Sequence, residues 1–309
     1  MKVEEELRGV AQERDTVLTI GVFDGVHIGH QRLMEYLKRR ALAEDRLPGV
    51  VTFRGHPQHV ISPRTPLYRL VPLDERIRLI AEMGIDLVVP LSFNLELAQV
   101  PARDFVALLQ RYLRMRGLII GADFALGKGR EGDPVALRRM GQEMGFWVEV
   151  FAPQLIDGEV VSSTAIRQAL SSGDVKKVTR LLGRPLVLHG RIVHGDERGK
   201  QLGFPTANLS FTRGQALPED GVYVTRAYLG GQALPSVTNI GKRPTFGENR
   251  RTVEVYLIGF SGQIYGEVLR VELVDRLRAE KRFSSPEELK AQISQDVDRA
   301  RSVLREVAR

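Results

Sequence analysis

The chain has 309 residues, 43% hydrophobic and 27% charged, with a net charge of +7 and no cysteine. That length exceeds what one core usually fills, so about two domains are expected, with the balance of an ordinary globular protein. The absence of cysteine excludes disulfides, thiolate metal sites and a cysteine nucleophile; the ligands left suit Mg²⁺ brought in with a nucleotide.

No apolar run approaches the roughly 18 residues of a membrane span. Residues 1–15, with Glu4, Glu5 and Glu6, do not read as a signal peptide, so a cytoplasmic protein with no membrane partner is expected. The basic excess is spread through both halves and forms no tail or stripe. Anionic small molecules account for it as well as nucleic acid would.

In chain order, residues 17–22 form an apolar run that predicts a buried strand. Gly21, Gly25 and Gly29 then supply a turn, and Leu33, Leu37 and Ala41 predict one face of a helix. Residues 49–53 predict a second strand, followed by a polar, proline-containing loop over 54–72. A helix over 74–83, a strand over 85–91 and a helix over 102–115 come after it. Next come a strand over 117–121, a helix over 133–144 and a strand over 146–151. Strands separated by helices of this length predict an α/β domain with a parallel sheet. Its ligand belongs at the carboxyl ends of the strands, where the loops carrying His27, His56 and Asp123 begin.

Two short helices, 163–170 and 174–182, close this half. Beyond Arg184 the β-branched and aromatic runs 189–194, 222–229, 236–240, 252–258 and 268–273 are separated by glycine-rich turns. They predict a small antiparallel barrel or sandwich. Ser285-Pro286-Glu287-Glu288 starts a terminal helix whose apolar face is Leu289, Ile293, Val297 and Val303 or Leu304. The change in character places the domain boundary at 182/183, giving domains 1–182 and 183–309.

Two stretches have the chemistry of anion sites. His27 and His30 lie where the first strand gives way to a helix, among three glycines. Free backbone N–H groups there attract phosphate, and imidazoles add donors as charge develops. Ser162-Ser163-Thr164-Ala165-Ile166-Arg167 is a second such corner: a serine cap, a hydroxyl and a guanidinium in the first turns of a helix.

Together these motifs resemble the nucleotidyltransferase superfamily with a His-x-Gly-His signature. More narrowly, Gly21 to His30, the strand leading into His56-Pro57, Gly121-Ala122-Asp123-Phe124 and Ser162 to Arg167 resemble the bacterial bifunctional riboflavin kinase/FAD synthetases. In the second half Gly199-Lys200-Gln201-Leu202-Gly203-Phe204-Pro205-Thr206-Ala207-Asn208 is similar to the flavokinase signature. Gly221-Val222-Tyr223, the run from Asn239 through Arg243-Pro244-Thr245, Arg251 to Tyr256 and Tyr265-Gly266 come in that family's order.

The resemblance implies a Rossmann-like nucleotidyltransferase domain followed by a small antiparallel β-barrel flavokinase domain with a C-terminal helix. The second domain would phosphorylate riboflavin to FMN. Glu254 matches the catalytic base there and touches the flavin, Thr206 and Asn208 match the pair contacting Mg²⁺ and ATP, and Gly199 and Lys200 belong to the ATP loop. The first domain would adenylylate FMN with a second ATP, giving FAD and pyrophosphate. FMN brings an ionised phosphate as nucleophile, so this step needs alignment and charge neutralisation rather than a base. His27, His30 and Arg167 match the catalytic groups. Gly21, Phe23, Gly25, Ser162, Ser163 and Thr164 complete the expected ATP site, and Asp123 and Phe124 are the expected flavin contacts, with core packing the alternative for Phe124.

The chain departs from the family pattern at Arg54-Gly55, where Glu-Pro is usual, and at Lys200, where arginine is usual. Two other readings compete. One is a single-activity adenylyl- or cytidylyltransferase whose barrel only binds; Glu254 with Thr206 and Asn208 argues against it. The other is a synthetase-like RNA binder. No Lys-Met-Ser-Lys-Ser-type loop and only 6% aromatics argue against that, so no nucleic-acid partner is expected. The oligomeric state is not legible in these patterns.

Overall fold

The computed structural model describes residues 1–62, 67–195, 199, 202–211, 214–242 and 251–307. The chain divides into two compact units, Met1–Ser163 and Thr164–Arg309. Lys200 and Arg243-Pro244-Thr245 of the sequence motifs lie outside the described residues.

The first unit is built on five parallel strands: β1 (Thr16–Ile20), β2 (Leu47–Phe53), β3 (Leu87–Leu91), β4 (Met115–Gly121) and β5 (Trp147–Phe151). Their order is β3-β2-β1-β4-β5. Side chains alternate between the two faces, as the pleat requires. Val17, Val50 and Ile119 pack with Leu33, Met34, Leu37 and Ala41 of α2 (Ile28–Ala43) and Ile80 of α4 (Leu73–Ala81). Leu18, Ile20, Val51, Leu118 and Ile120 pack with α1 (Lys2–Arg8), α6 (Ala102–Leu113) and α7 (Pro134–Met144). The strand order reverses between β1 and β4, so the crevice for a ligand opens at their carboxyl ends.

Two short helices interrupt segments with no helical pattern in the sequence: α3 (Pro57–Ile61) and α5 (Leu95–Ala98). Each depends on a side-chain cap. His56 Nδ1 accepts from the Gln58 amide at 3.2 Å, and Asn94 Oδ1 accepts from the Leu97 amide at 2.8 Å. A two-stranded hairpin, β6 (Leu155–Ile156) and β7 (Glu159–Val160), precedes the end of the unit.

The second unit opens with α8 (Ser163–Ser171, its first residue belonging to the first unit) and α9 (Val175–Leu182). These helices are tied to later segments of the same unit: the Glu219 amide donates to the Leu170 carbonyl at 3.0 Å, and Lys176 pairs with Asp275 at 2.9 Å. The compact units therefore part at 163/164, while the change in sequence character falls at 182/183. A closed six-stranded barrel completes the unit, formed by β8 (Val187–Val193), β9 (Thr206–Ser210), β10 (Gly221–Leu229), β11 (Gln232–Lys242), β12 (Arg251–Leu257) and β13 (Val268–Arg278). β9 is the element that the sequence hides, because Pro-Thr-Ala-Asn reads as a turn. Val253, Val255, Ala207 and Leu209 are buried, and Thr225 bonds Ser236 and Thr238 at 2.8 Å each, so these buried hydroxyls are mutually satisfied.

The terminal helix α10 (Pro286–Val307) covers Val222, Val224 and Val237 with Val297, Ala300, Val303 and Leu304. Ser285 Oγ accepts from the Glu288 amide at 3.2 Å, the cap expected from the sequence. Its seating includes one ion pair. The Arg278 guanidinium donates to both carboxylate oxygens of the buried Asp296, at 2.8 to 3.1 Å, and Gln292 donates at 3.1 Å. Removing one member of such a pair strands the other. Arg278→Met should therefore destabilise the barrel unit by roughly 3 kcal/mol, read as an earlier urea transition in far-UV circular dichroism; an unchanged midpoint would contradict this.

Candidate active sites

The turn between β1 and α2 is strained. Phe23 and Val26 adopt φ of 52° and 43°, and Gly25 adopts 82°. Positive φ is unusual for any non-glycine residue and costly for a β-branched one. Long-range bonds hold it. The buried Asp24 carboxylate accepts from the amides of Leu70 (3.0 and 3.1 Å) and Val71 (3.3 Å). The Arg76 guanidinium, also buried, donates to the carbonyls of Val22 (2.7 Å) and Phe53. Ser163 Oγ donates to the Asp24 carbonyl at 2.8 Å, and Gln31 Nε2 to that of Val26 at 2.8 Å.

This turn delivers the histidines. His27 is the N-cap of α2, its Nδ1 accepting from the His30 amide at 3.3 Å. The two imidazoles stack with centroids 3.6 Å apart, and Phe23 meets His30 edge-on at 5.1 Å. A Cβ at Gly21 would fall 2.8 Å from the Phe23 ring and one at Gly29 would fall 3.1 Å from the His27 ring, so both glycines let the rings close down. His30 Nδ1 is buried and has no hydrogen-bond partner among the described residues. Burial, then His27, then Arg76 push its pKa well below the usual 6.5.

A cleft of about 1200 Å³ opens over this corner. Its lining includes Gly21, Phe23, His27, His30, Ser162 and Ser163 as well as Phe53, Phe93, Phe105, Asp123 and Phe124. The structure thus brings most of the expected nucleotide residues of this unit together with both expected flavin contacts. Gly25 lies in the turn beneath and is buried. Phe124 also packs against the core, and the Asp123 carbonyl accepts from Arg130 at 2.9 Å. Thr164 and Arg167 lie in the first turns of α8 and belong to the second unit. Sequence reasoning missed Asp24 and Arg76. The only signal was an aspartate amid the apolar residues of the turn; Arg76 stands among Asp74, Glu75 and Arg78, where a helical arginine reads as a solvated face.

In the barrel, register decides the second grouping. Glu254 on β12 pairs with Asn208 on β9 and with Asn239 on β11, and Thr206 pairs with Tyr256. Directly opposed residues share a face, so Asn208, Glu254 and Asn239 form one row on the outside of the barrel, with Thr206 two residues along. The intervening Ala207, Val253 and Val255 point inward and are buried. Gly199 closes the turn leading into β9, its carbonyl accepting from Leu202 (3.1 Å) and Phe204 (2.8 Å). Phe204 meets Tyr256 edge-on at 5.3 Å. Asn239 opens one of the family-like runs in the sequence but carries no role there, because only the pairing of β11 with β12 places it beside Glu254.

Comparison with known proteins gives a family match for each half of the chain. The family profile described as FAD synthetase matches residues 10–165, and that described as riboflavin kinase matches residues 182–304. The chain is 40% identical over 288 residues to the bifunctional riboflavin kinase/FMN adenylyltransferase of Escherichia coli strain K12, covering 93% of this chain and 92% of that protein. The chain belongs to this bifunctional family. Its relative from Pseudomonas fluorescens is also 40% identical, over 94% of each chain. A crystal structure from Streptococcus pneumoniae, described as a macrolide-efflux protein, superposes with a TM-score of 0.89 at 30% identity over 97% of each chain. Among the described residues, no helix is long and apolar enough to cross a membrane.

The state of His30 is measurable. The folded protein keeps this imidazole neutral where an unfolded chain, with its pKa near 6.5, takes up a proton. The contribution to stability is therefore full above pH 6.5 and falls as pH drops below it. In an NMR titration the histidine resonance that His30→Gln removes should belong to an imidazole that stays neutral well below pH 6.5. A removed resonance that titrates near 6.5 would contradict the assignment.

Proposed function

We infer that the chain makes FMN from riboflavin at the barrel and FAD from FMN at the α/β cleft, drawing on ATP twice. The observation that carries this reading is the presence of two separate constellations, each suited to a different nucleophile. The riboflavin 5′-hydroxyl is neutral and needs a base. Glu254, on the outer face between two carboxamides, has that role. FMN presents a phosphate dianion and needs none, and the cleft accordingly offers imidazoles and helix amides over an aromatic wall.

At the cleft, His27 and His30 bind the ATP phosphates and stabilise charge on the departing pyrophosphate. A neutral, partnerless Nδ1 on His30 suits this, being able to take up a hydrogen bond only when the nucleotide is present. Gly21, Phe23, Gly25, Ser162 and Ser163 shape the site; Thr164 and Arg167, which open the second unit, have the hydroxyl and guanidinium that suit a triphosphate. Asp123 and Phe124 contact the flavin.

At the barrel, we assign the kinase to the segment from residue 183 onward, with Gly199 and Lys200 in the ATP loop. Thr206 and Asn208 supply a hydroxyl and an amide oxygen from one face of β9, a donor set that fits Mg²⁺. Among the described residues no group of three or more His, Asp or Glu could hold a metal, so the ion fits as a companion of the nucleotide, with phosphate oxygens completing its shell. Mg²⁺ supplies charge neutralisation on the phosphates.

Glu254→Gln should abolish FMN formation from riboflavin and leave conversion of added FMN to FAD largely intact; His30→Ala should do the reverse. Both are read by chromatography of the flavins after incubation with MgATP. Loss of both activities in either folded variant would show that the two reactions do not occupy separate sites.

A further inference from the structure

The FMN adenylylation assigned to the cleft leaves Arg76 without a role, although it is buried and charged. It stands on α4, 3% exposed, and donates to the Val22 carbonyl at 2.7 Å and to the Phe53 carbonyl. Val22 opens the strained turn, and Phe53 ends β2 where the chain leaves for His56. Thr52 Oγ1 donates to the same Val22 carbonyl at 3.1 Å, so this oxygen gathers two donors from separate elements.

A guanidinium can meet two carbonyls on two segments, one in the turn after β1 and one at the end of β2, because its fork is planar and rigid. Burying one is costly, and a salt bridge to a surface acid would not explain the placement. The charge that offsets it is Asp24, whose own carboxylate is committed to the Leu70 and Val71 amides. A buried charged side chain therefore ties the backbone entering the strained turn to the end of β2.

We propose that Arg76 is a positioning residue for adenylyl transfer: by clamping the Val22 and Phe53 carbonyls it holds the 23–26 turn in the one geometry that aims His27 and His30 into the cleft. This rests on the adenylyl-transfer role proposed for that cleft. Arg76 touches no substrate. Its positive charge beneath the turn also keeps the His30 imidazole neutral, alongside burial and His27.

Misplacing reacting groups by about 1 Å costs on the order of a hundredfold in rate. Arg76→Met should accordingly lower kcat for FAD formation by about a hundredfold with KM for FMN and ATP changed less than about threefold. Arg76→Lys, which can reach one carbonyl but not bridge two, should recover about a tenth of the wild-type kcat. In both, riboflavin phosphorylation by the same molecules should be unchanged, which reports that the barrel unit is folded, and an unchanged far-UV circular dichroism spectrum reports the same of the α/β unit. The His30 NMR resonance should shift in both, as a purely global loss of stability would not make it do.

A wild-type kcat for FAD formation in Arg76→Met overturns the proposal. So does a loss that scales only with the fraction unfolded. If Arg76→Met does not fold, Arg76→Lys decides: full kcat with an unmoved His30 resonance overturns it. His30→Ala assayed alongside separates the two claims, since full FAD formation in that variant refutes the histidine site itself. An inactive His30→Ala beside a fully active Arg76→Met refutes only the role given to Arg76.

Discussion

The first unit depends on a turn that its own residues disfavour. Phe23 and Val26 hold positive φ, each costing on the order of 1–3 kcal/mol, and the turn persists because surrounding bonds over-determine it. A hydrogen bond to a charged group contributes about 1.5–3 kcal/mol, and Asp24 and Arg76 together make several. Those bonds hold the strained turn in place. They also fix the chain at Leu70 and Val71, whose amides close on the Asp24 carboxylate.

Among its described residues the barrel unit reaches the same end with no non-glycine residue at positive φ. Its constraint is the period of two along a strand. Val253 and Val255 fill the interior, so Glu254 must face out, and antiparallel pairing then fixes which residues lie beside it. A one-residue slip of β12 would bury Glu254 and expose both valines, which the closed barrel penalises heavily. The helix α10 covers Val222, Val224 and Val237 on the outer face.

Much of this was legible in the chain. The apolar runs and helical spacings mark all five parallel strands, and two histidines among three glycines mark the strand–helix corner. What the sequence hid was set by tertiary contact. β9 takes its form from pairing with β8 and β12, against a Pro-Thr-Ala-Asn string that reads as a turn. Ser163 reads as a helix cap, yet its hydroxyl also holds the Asp24 carbonyl, 139 residues away in sequence. Arg76 reads as a surface arginine because nothing local reveals that two strand ends converge on it. Residues that bind substrate carry a chemical signature, whereas residues that hold other residues in place carry a geometric one.

The central claim is that one chain performs a phosphoryl transfer and an adenylyl transfer at two sites, and the fate of labelled phosphorus tests it most directly. Riboflavin incubated with the protein and MgATP labelled at the γ-phosphate should yield labelled FMN, with the label retained in FAD. ATP labelled at the α-phosphate should label FAD and leave FMN unlabelled. Label from the α-phosphate in FMN, or FAD formed from riboflavin without label from the γ-phosphate, would contradict the account.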